Sequence, residues 1–178
     1  MFKYKIQEMI SAAEIQTAVQ KIADQINRDY EGKEIVLVGL LRGSVMFLAD
    51  LARHIKNPHI TIDFMSVSSY GHEMQTSGEI KILKDLDENI KDKNVIIVED
   101  IIDTGFTLDK ISKLLWSREP RSLTIATLLD KPECRISHVD VQYIGFQIPN
   151  EFVVGYGIDY AQMHRALPYI AKVIKDEK

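Results

Sequence analysis

Val95-Ile96-Ile97-Val98-Glu99-Asp100-Ile101-Ile102-Asp103-Thr104-Gly105-Phe106-Thr107 is the stretch that decides the fold of this chain. Val95 to Val98 is an unbroken β-branched run, the pattern of a strand buried on both faces, as in a parallel sheet. Three acids, Glu99, Asp100 and Asp103, leave its end. The Thr104-Gly105-Phe106-Thr107 loop follows, and from Leu108 apolar residues recur at helical spacing through Ile111 and Leu115. Strand, acids, glycine-containing loop and helix together form the layout of an anion site in an open α/β sheet. The ligand sits beyond the strand's carboxyl end, where the first N–H groups of the helix meet it. Adjacent carboxylates leaving a strand are expected on opposite sides of it, so Glu99 and Asp100 cannot both be idle core residues. Ribose hydroxyls and a hydrated Mg²⁺ are natural clients for such acids. Asp103, at the loop mouth, is placed to take or hold a proton. Taken alone, the stretch also reads as a polar strand-to-helix turn capped by an acid.

The same layout occurs earlier in the chain. Ser11-Ala12-Ala13-Glu14 has the form of a helix capping box. Ile15, Val19, Ile22 and Ile26 then give a helix to about Tyr30, stopped by Gly32. Ile35 to Gly39 reads as a second buried strand. The turn Leu40-Leu41-Arg42-Gly43-Ser44 leads into a helix through Phe47, Leu48, Leu51 and Ile55, with Ser44 expected to cap it. Ile60 to Val67 is a further strand. From residue 68 to 79 the sequence turns polar and aperiodic, Ser-Ser-Tyr-Gly-His-Glu-Met-Gln-Thr-Ser-Gly-Glu, before alternation resumes at Ile80. A loop of that length is a lid or a long exposed hairpin loop, and composition alone does not separate the two. Beyond Trp116, Ser122 to Leu128 and Val141 to Gly145 read as strands. Lys131 leaves the first of them in a turn, where a lysine is ordinarily solvated. Phe152 to Tyr160 combines an aromatic residue, two glycines and Asp159.

Composition narrows the class. At 178 residues the chain is most simply one domain, long enough to bury roughly 70% of its unfolded surface. A net charge of −4 argues against a nucleic-acid partner, which would call for a basic face. The same charge means that a polyanionic substrate would need local cations or Mg²⁺. One cysteine, Cys134, excludes an intrachain disulfide and a four-cysteine zinc site. No apolar run approaches the ~18 residues of a membrane span. Residues 1–10 mix lysines with apolar residues and lack the core of a secretion signal. The expected compartment is the cytoplasm. No Gly-Lys-Ser/Thr follows the glycine loop, and the chain has no Gly-x-Gly-x-x-Gly, so neither a Walker loop nor a dinucleotide fingerprint is present.

The run Glu99-Asp100-Ile101-Ile102-Asp103-Thr104-Gly105-Phe106-Thr107 closely resembles the phosphoribosyl-pyrophosphate signature of the type I phosphoribosyltransferases, specifically the hypoxanthine–guanine branch. The likeness covers roughly Leu37 to Ile174. It implies a parallel α/β core with helices on both faces and a small hood made by terminal and purine-binding segments. Residues 103–107 would hold a 5′-phosphate, and Glu99 and Asp100 the ribose and a Mg²⁺. Leu41-Arg42-Gly43 matches the family's pyrophosphate loop, with a cis peptide implied at Leu41-Arg42, and Arg165 its pyrophosphate arginine. Ser69-Tyr70 corresponds to the mobile catalytic loop. Lys131 would recognise a purine 6-oxo group, Phe152 stack on the ring and the Val153 backbone read its edge. Asp159, beside the purine, resembles a second Mg²⁺ contact. His164 departs from the pattern, which has Tyr or Phe there, and takes no role.

The reaction implied is transfer of ribose 5-phosphate from phosphoribosyl pyrophosphate to a ring nitrogen of a 6-oxopurine, in a homo-oligomer (dimer or tetramer) that binds neither nucleic acid nor membrane. Asp103 is the candidate general base, accepting the purine N7 proton. Two alternatives stand beside it: a guanine- or xanthine-preferring transferase, and a nucleotide-sensing regulator on the same fold.

Overall fold

The computed structural model describes residues 4–69 and 80–175. Its centre is a six-stranded sheet in the order β4-β3-β2-β5-β6-β7, formed by β2 (Ile35–Leu40), β3 (Ile60–Ser69), β4 (Ile80–Lys84), β5 (Asn94–Ile102), β6 (Ser122–Asp130) and β7 (Tyr143–Gln147). β3, β2, β5, β6 and β7 run parallel, while β4 returns antiparallel at the edge. The continuous β-branched run thus lies where two-sided burial needs it, with Val95 to Val98 fully buried.

Alternation along the strands divides the core in two. Ile35, Leu37, Ile96, Val98, Ala126 and Leu128 face one side. They pack there on α1 (Ala12–Asp29) and α2 (Val45–His54), through Ile15, Val19, Ile22, Phe47 and Leu51. Val36, Val38, Val95, Ile97 and Ile125 face the other side, against Leu108, Ile111 and Leu115 of α3 (Phe106–Trp116). Helices therefore cover both faces, as an α/β parallel-sheet core requires. The capping box forms as the sequence predicts. The Ser11 hydroxyl accepts from the Glu14 N–H, and the Glu14 carboxylate from the Ser11 N–H at 2.8 Å.

Three local expectations are corrected. Ser44 does not cap α2; its hydroxyl donates to the Leu40 carbonyl at 2.7 Å, which ties the turn back to the strand it left. α3 starts at Phe106 rather than at Leu108, because Gly105 in the left-handed region (φ 78°) can serve as its N-cap. β5 continues through the acids to Ile102, and β6 to Asp130, so both strands carry ordered backbone further toward the ligand edge than hydrophobicity alone indicated.

A second sheet, β1-β9-β8, joins β1 (Tyr4–Ile10) and β9 (Ile170–Lys175) from the two ends of the described chain with the short β8 (Val153–Val154). The Leu41–Arg42 peptide is cis, as the resemblance implied. Ser69 closes β3. Residues 70–79, and with them Tyr70 and most of the expected lid, lie outside the described residues. Among the described residues no helix is long and apolar enough to cross a membrane.

At the edge opposite the acids, Asn94 is buried and donates to the Glu34 carbonyl (2.9 Å) while accepting from the Ser122 hydroxyl (2.9 Å). It locks the starts of β2, β5 and β6 together. Asn94→Ala removes both hydrogen bonds, at a cost of about 1–3 kcal/mol for the two. Thermal denaturation should show a Tm lower by about 3–9 °C. Turnover measured well below the transition should stay unchanged, because the acids lie at the other end of the strands.

Candidate active site

The carboxyl ends of β2, β5 and β6 lie side by side, and the turns leaving them carry Arg42, Asp103, Thr104 and Lys131. Glu99 and Asp100 remain on β5. They do not part to opposite sides as strand alternation predicted. The Glu99 carboxylate folds back so that Oε1 accepts the Asp100 N–H (3.1 Å), and Asp100 Oδ1 accepts the Ile101 N–H (2.7 Å). Burial first, and then the neighbouring Asp100 charge, push Glu99 well above the ordinary carboxylate range. Burial also raises Asp100, against opposing hydrogen bonds and the pull of Arg165. Two carboxylates held together and partly withdrawn from water favour a shared cation or proton. Among the described residues no three His, Cys, Asp or Glu side chains converge as a metal cage. A pair of this kind instead suits Mg²⁺, which takes one or two carboxylates and completes its shell with water and substrate oxygens.

The β2 turn closes tightly over this pair. A β-carbon on Gly43 would lie 1.7 Å from Asp100 Oδ2, so the backbone reaches the carboxylate only because that position has no side chain. The Gly43 carbonyl meets Gly157 in the same way, with a Gly157 β-carbon placed 2.0 Å from it. The segment after β8 is thereby pressed against the β2 turn. It is a chain of tight turns, with positive φ at Tyr156, Gly157, Ala161, Gln162 and His164. Arg165 folds back into it, donating to the Gly157 carbonyl (2.8 Å) and pairing with Asp159 Oδ1 (2.7 Å). Asp159 Oδ2 accepts the Gln162 N–H at 2.8 Å. Each oxygen of Asp159 keeps a lone pair for a cation or its water shell.

Gln162 was not anticipated. Its Oε1 accepts from Arg42 Nη1 (3.0 Å) and from Arg165 Nη2 (3.2 Å), joining cations from opposite ends of the sequence.

The loop after β5 is braced from β6. The Thr104 carbonyl accepts from the N–H groups of Ile136 (2.9 Å) and Ser137 (3.0 Å), and the Lys131 N–H donates to the Ile102 carbonyl (2.9 Å). Arg135 donates to the Asp103 carbonyl and pairs with buried Asp130, a brace that sequence reading also missed. The first-turn N–H groups of α3, around Phe106 and Thr107, have no acceptor within the helix. Among the described residues the Phe106 N–H has a local one, Thr104 Oγ1 at 3.3 Å. Lys131 is not the solvated turn residue its type would suggest. It is buried, and its Nζ stands 3.6 Å from Asp103 Oδ2, whose side chain is 55% exposed.

Above this, Phe152 is half exposed and meets Tyr160 edge-on, with ring centroids 5.3 Å apart. Tyr160 in turn meets Tyr4 of β1, and the Tyr4 hydroxyl is hydrogen-bonded to His164 Nε2 at 2.7 Å. Val153 is buried in the core, so its backbone alone could face a ligand. Two clusters result. One is anionic with paired cations (Glu99, Asp100, Arg42, Arg165, Asp159); the other sets an acid and an ammonium (Asp103, Lys131) at the mouth of a helix N-terminus.

The raised carboxylates have a consequence for stability. A folded-state pKa above the unfolded value means stability is lost as pH climbs from the unfolded carboxylate range toward the raised one. Glu99→Gln removes that penalty and keeps the Oε1 acceptor. Its Tm should match the parent's near pH 4 and exceed it by about 2–6 °C at pH 7.5. Calorimetry across that interval checks this, and equal Tm values at pH 7.5 would refute the burial argument.

Residues 7–161 match the family profile described as the phosphoribosyl transferase domain. The chain is 56% identical over 174 residues to the hypoxanthine phosphoribosyltransferase of Salmonella typhimurium, covering 97% of each. It is 48% identical over 162 residues to the hypoxanthine-guanine phosphoribosyltransferase of Staphylococcus aureus, covering 91% of this chain and 90% of that one. The crystal structure of a hypoxanthine-guanine phosphoribosyltransferase from Bacillus anthracis superposes with a TM-score of 0.91 at 52% identity, over 96% of this chain and all of the other.

Proposed function

The chain belongs to the phosphoribosyl transferase domain family, and from that premise we infer that it is a purine-salvage enzyme. It transfers the 5-phosphoribosyl group of phosphoribosyl pyrophosphate to hypoxanthine, and to guanine, giving IMP or GMP and pyrophosphate. The observation that carries the acceptor assignment is buried Lys131 beside Asp103, 3.6 Å apart at the end of β6. An ammonium donates to a 6-oxo group and has nothing to accept an adenine amino group with.

In the proposed mechanism the C1–oxygen bond to pyrophosphate breaks as purine N9 approaches C1, and positive charge develops on the sugar. The work of the protein is therefore electrostatic and positional. The α3 N-terminus and the Asp103 to Thr107 loop hold the 5′-phosphate. Glu99 and Asp100 hold the ribose hydroxyls and would hold Mg²⁺, with the free lone pairs of Asp159 available to a second ion. Bound Mg²⁺ would supply neutralising charge to the pyrophosphate. Arg42, Arg165 and the Leu41-Arg42-Gly43 backbone bind that leaving group. Phe152 stacks on the purine, and the Val153 backbone addresses its edge. Asp103 takes the N7 proton while Lys131 polarises the 6-oxo group. Ser69 and Tyr70 are assigned to a lid that keeps water from the cationic sugar. The enzyme is placed in the cytoplasm. Exposed Ile62, Ile82 and Leu83 on the β3–β4 edge support assembly into a homo-oligomer.

The decisive experiment is a purine panel with Mg²⁺ and phosphoribosyl pyrophosphate, comparing kcat/KM and pyrophosphate release. Hypoxanthine and guanine should turn over and adenine should not. A guanine or xanthine preference would change the specificity, and no pyrophosphate release with any purine would leave the sensor alternative. Asp103→Asn should lower kcat about 10²-fold or more and flatten the acid limb of the pH profile. Near-normal turnover with an unchanged profile would remove Asp103 as the base. For Lys131→Ala, KM for the purine should rise about tenfold or more while KM for phosphoribosyl pyrophosphate stays within about twofold. Equal loss of both would contradict the purine role.

A further inference from the structure

Arg42 and Arg165 come from turns 123 positions apart in the sequence, yet their guanidinium groups meet on one atom, Gln162 Oε1. Two cations drawn together repel, and something must hold them. A second carboxylate, added to the Asp159 that already pairs with Arg165, would do so most strongly, but it would also cancel the remaining charge that an incoming anion needs. An amide oxygen accepts from both without adding charge. Gln162 is itself fixed: it sits in the left-handed region (φ 68°), and its N–H donates to Asp159 Oδ2 at 2.8 Å. The Asp159 carboxylate pairs through its other oxygen with Arg165. The tight stack of Gly157 on the Gly43 carbonyl keeps the two turns in register.

We propose that Gln162 is a positioning residue for the leaving group, a neutral clamp that presents Arg42 and Arg165 as one preformed fork for a diphosphate. This rests on the reading above that these two arginines receive pyrophosphate. Rotamer freedom of two long side chains is then lost on folding rather than on binding, which raises affinity without a new contact to the ligand. Because the amide oxygen accepts from one nitrogen of each guanidinium, each arginine keeps other N–H groups for the anion.

The test uses the intact enzyme, inorganic pyrophosphate with Mg²⁺ as the probe, and calorimetric titration. Gln162→Met keeps the length of the side chain and removes the acceptor. It should weaken pyrophosphate binding about tenfold and raise KM for phosphoribosyl pyrophosphate similarly, with KM for hypoxanthine and the Tm unchanged. Gln162→Glu restores an acceptor but adds a charge, so it should bind pyrophosphate more weakly still. Arg42→Ala and Arg165→Ala are the controls on the underlying reading. If neither weakens pyrophosphate binding, the leaving-group assignment fails. If both do and Gln162→Met binds like the parent, the clamp fails alone. A Gln162→Met variant that loses purine KM, pyrophosphate affinity and Tm together has a merely structural glutamine, which also overturns the proposal. In Arg42→Ala, adding Gln162→Met should cost less than it does in the parent, because the clamp then has one cation to hold.

Discussion

Two carboxylates pressed together at the half-buried end of a parallel strand make a demanding arrangement, and the surroundings of Glu99 and Asp100 answer it from several directions. Burial and mutual repulsion favour their neutral forms, which is opposite to what the proposed sugar- and metal-binding role requires. Backbone N–H groups of Asp100 and Ile101 and the nearby Arg165 pull the other way. The β2 turn can come close only because Gly43 has no side chain. The pair is thus held in a state that a divalent cation or a polyhydroxylated ligand would relieve.

The remaining site is built by bracing the turns that leave three parallel strands. Parallel strands end at one edge, and a parallel sheet brings those ends together at no cost in chain geometry. Turns alone would not be rigid. Here Arg135 with Asp130 steadies the β5 loop from β6, and Gln162 with Asp159 steadies the arginines from the segment after β8. The second sheet brings Tyr4 against Tyr160 and His164, so both termini of the described chain contribute to one end of the molecule.

The legibility of these features follows their range. The Val95–Val98 run, the capping box at Ser11 and the helical spacing after Leu108 are local patterns with local causes, and they stood out in the sequence. Ser44 misled because a serine before a helix ordinarily caps it, whereas here the turn places its hydroxyl on the Leu40 carbonyl. Glu99 and Asp100 were recognised as functional, but strand alternation gave the wrong mutual orientation, since it fixes where side chains leave the backbone and not where their ends settle. Gln162 gave no signal at all. An exposed glutamine in a turn has no pattern of its own, and its partner Arg42 lies 120 positions away.

The sequence by itself therefore determined the α/β class and the places of the central-sheet strands and of the helices, because each is a short-range pattern of burial or capping. Only the tertiary structure decided that Lys131 is buried beside Asp103, that the two carboxylates converge and that Arg42, Gln162 and Arg165 form one cluster. Those facts are contacts between segments distant in the chain, and their geometry is set by how the strand ends and the second sheet pack together.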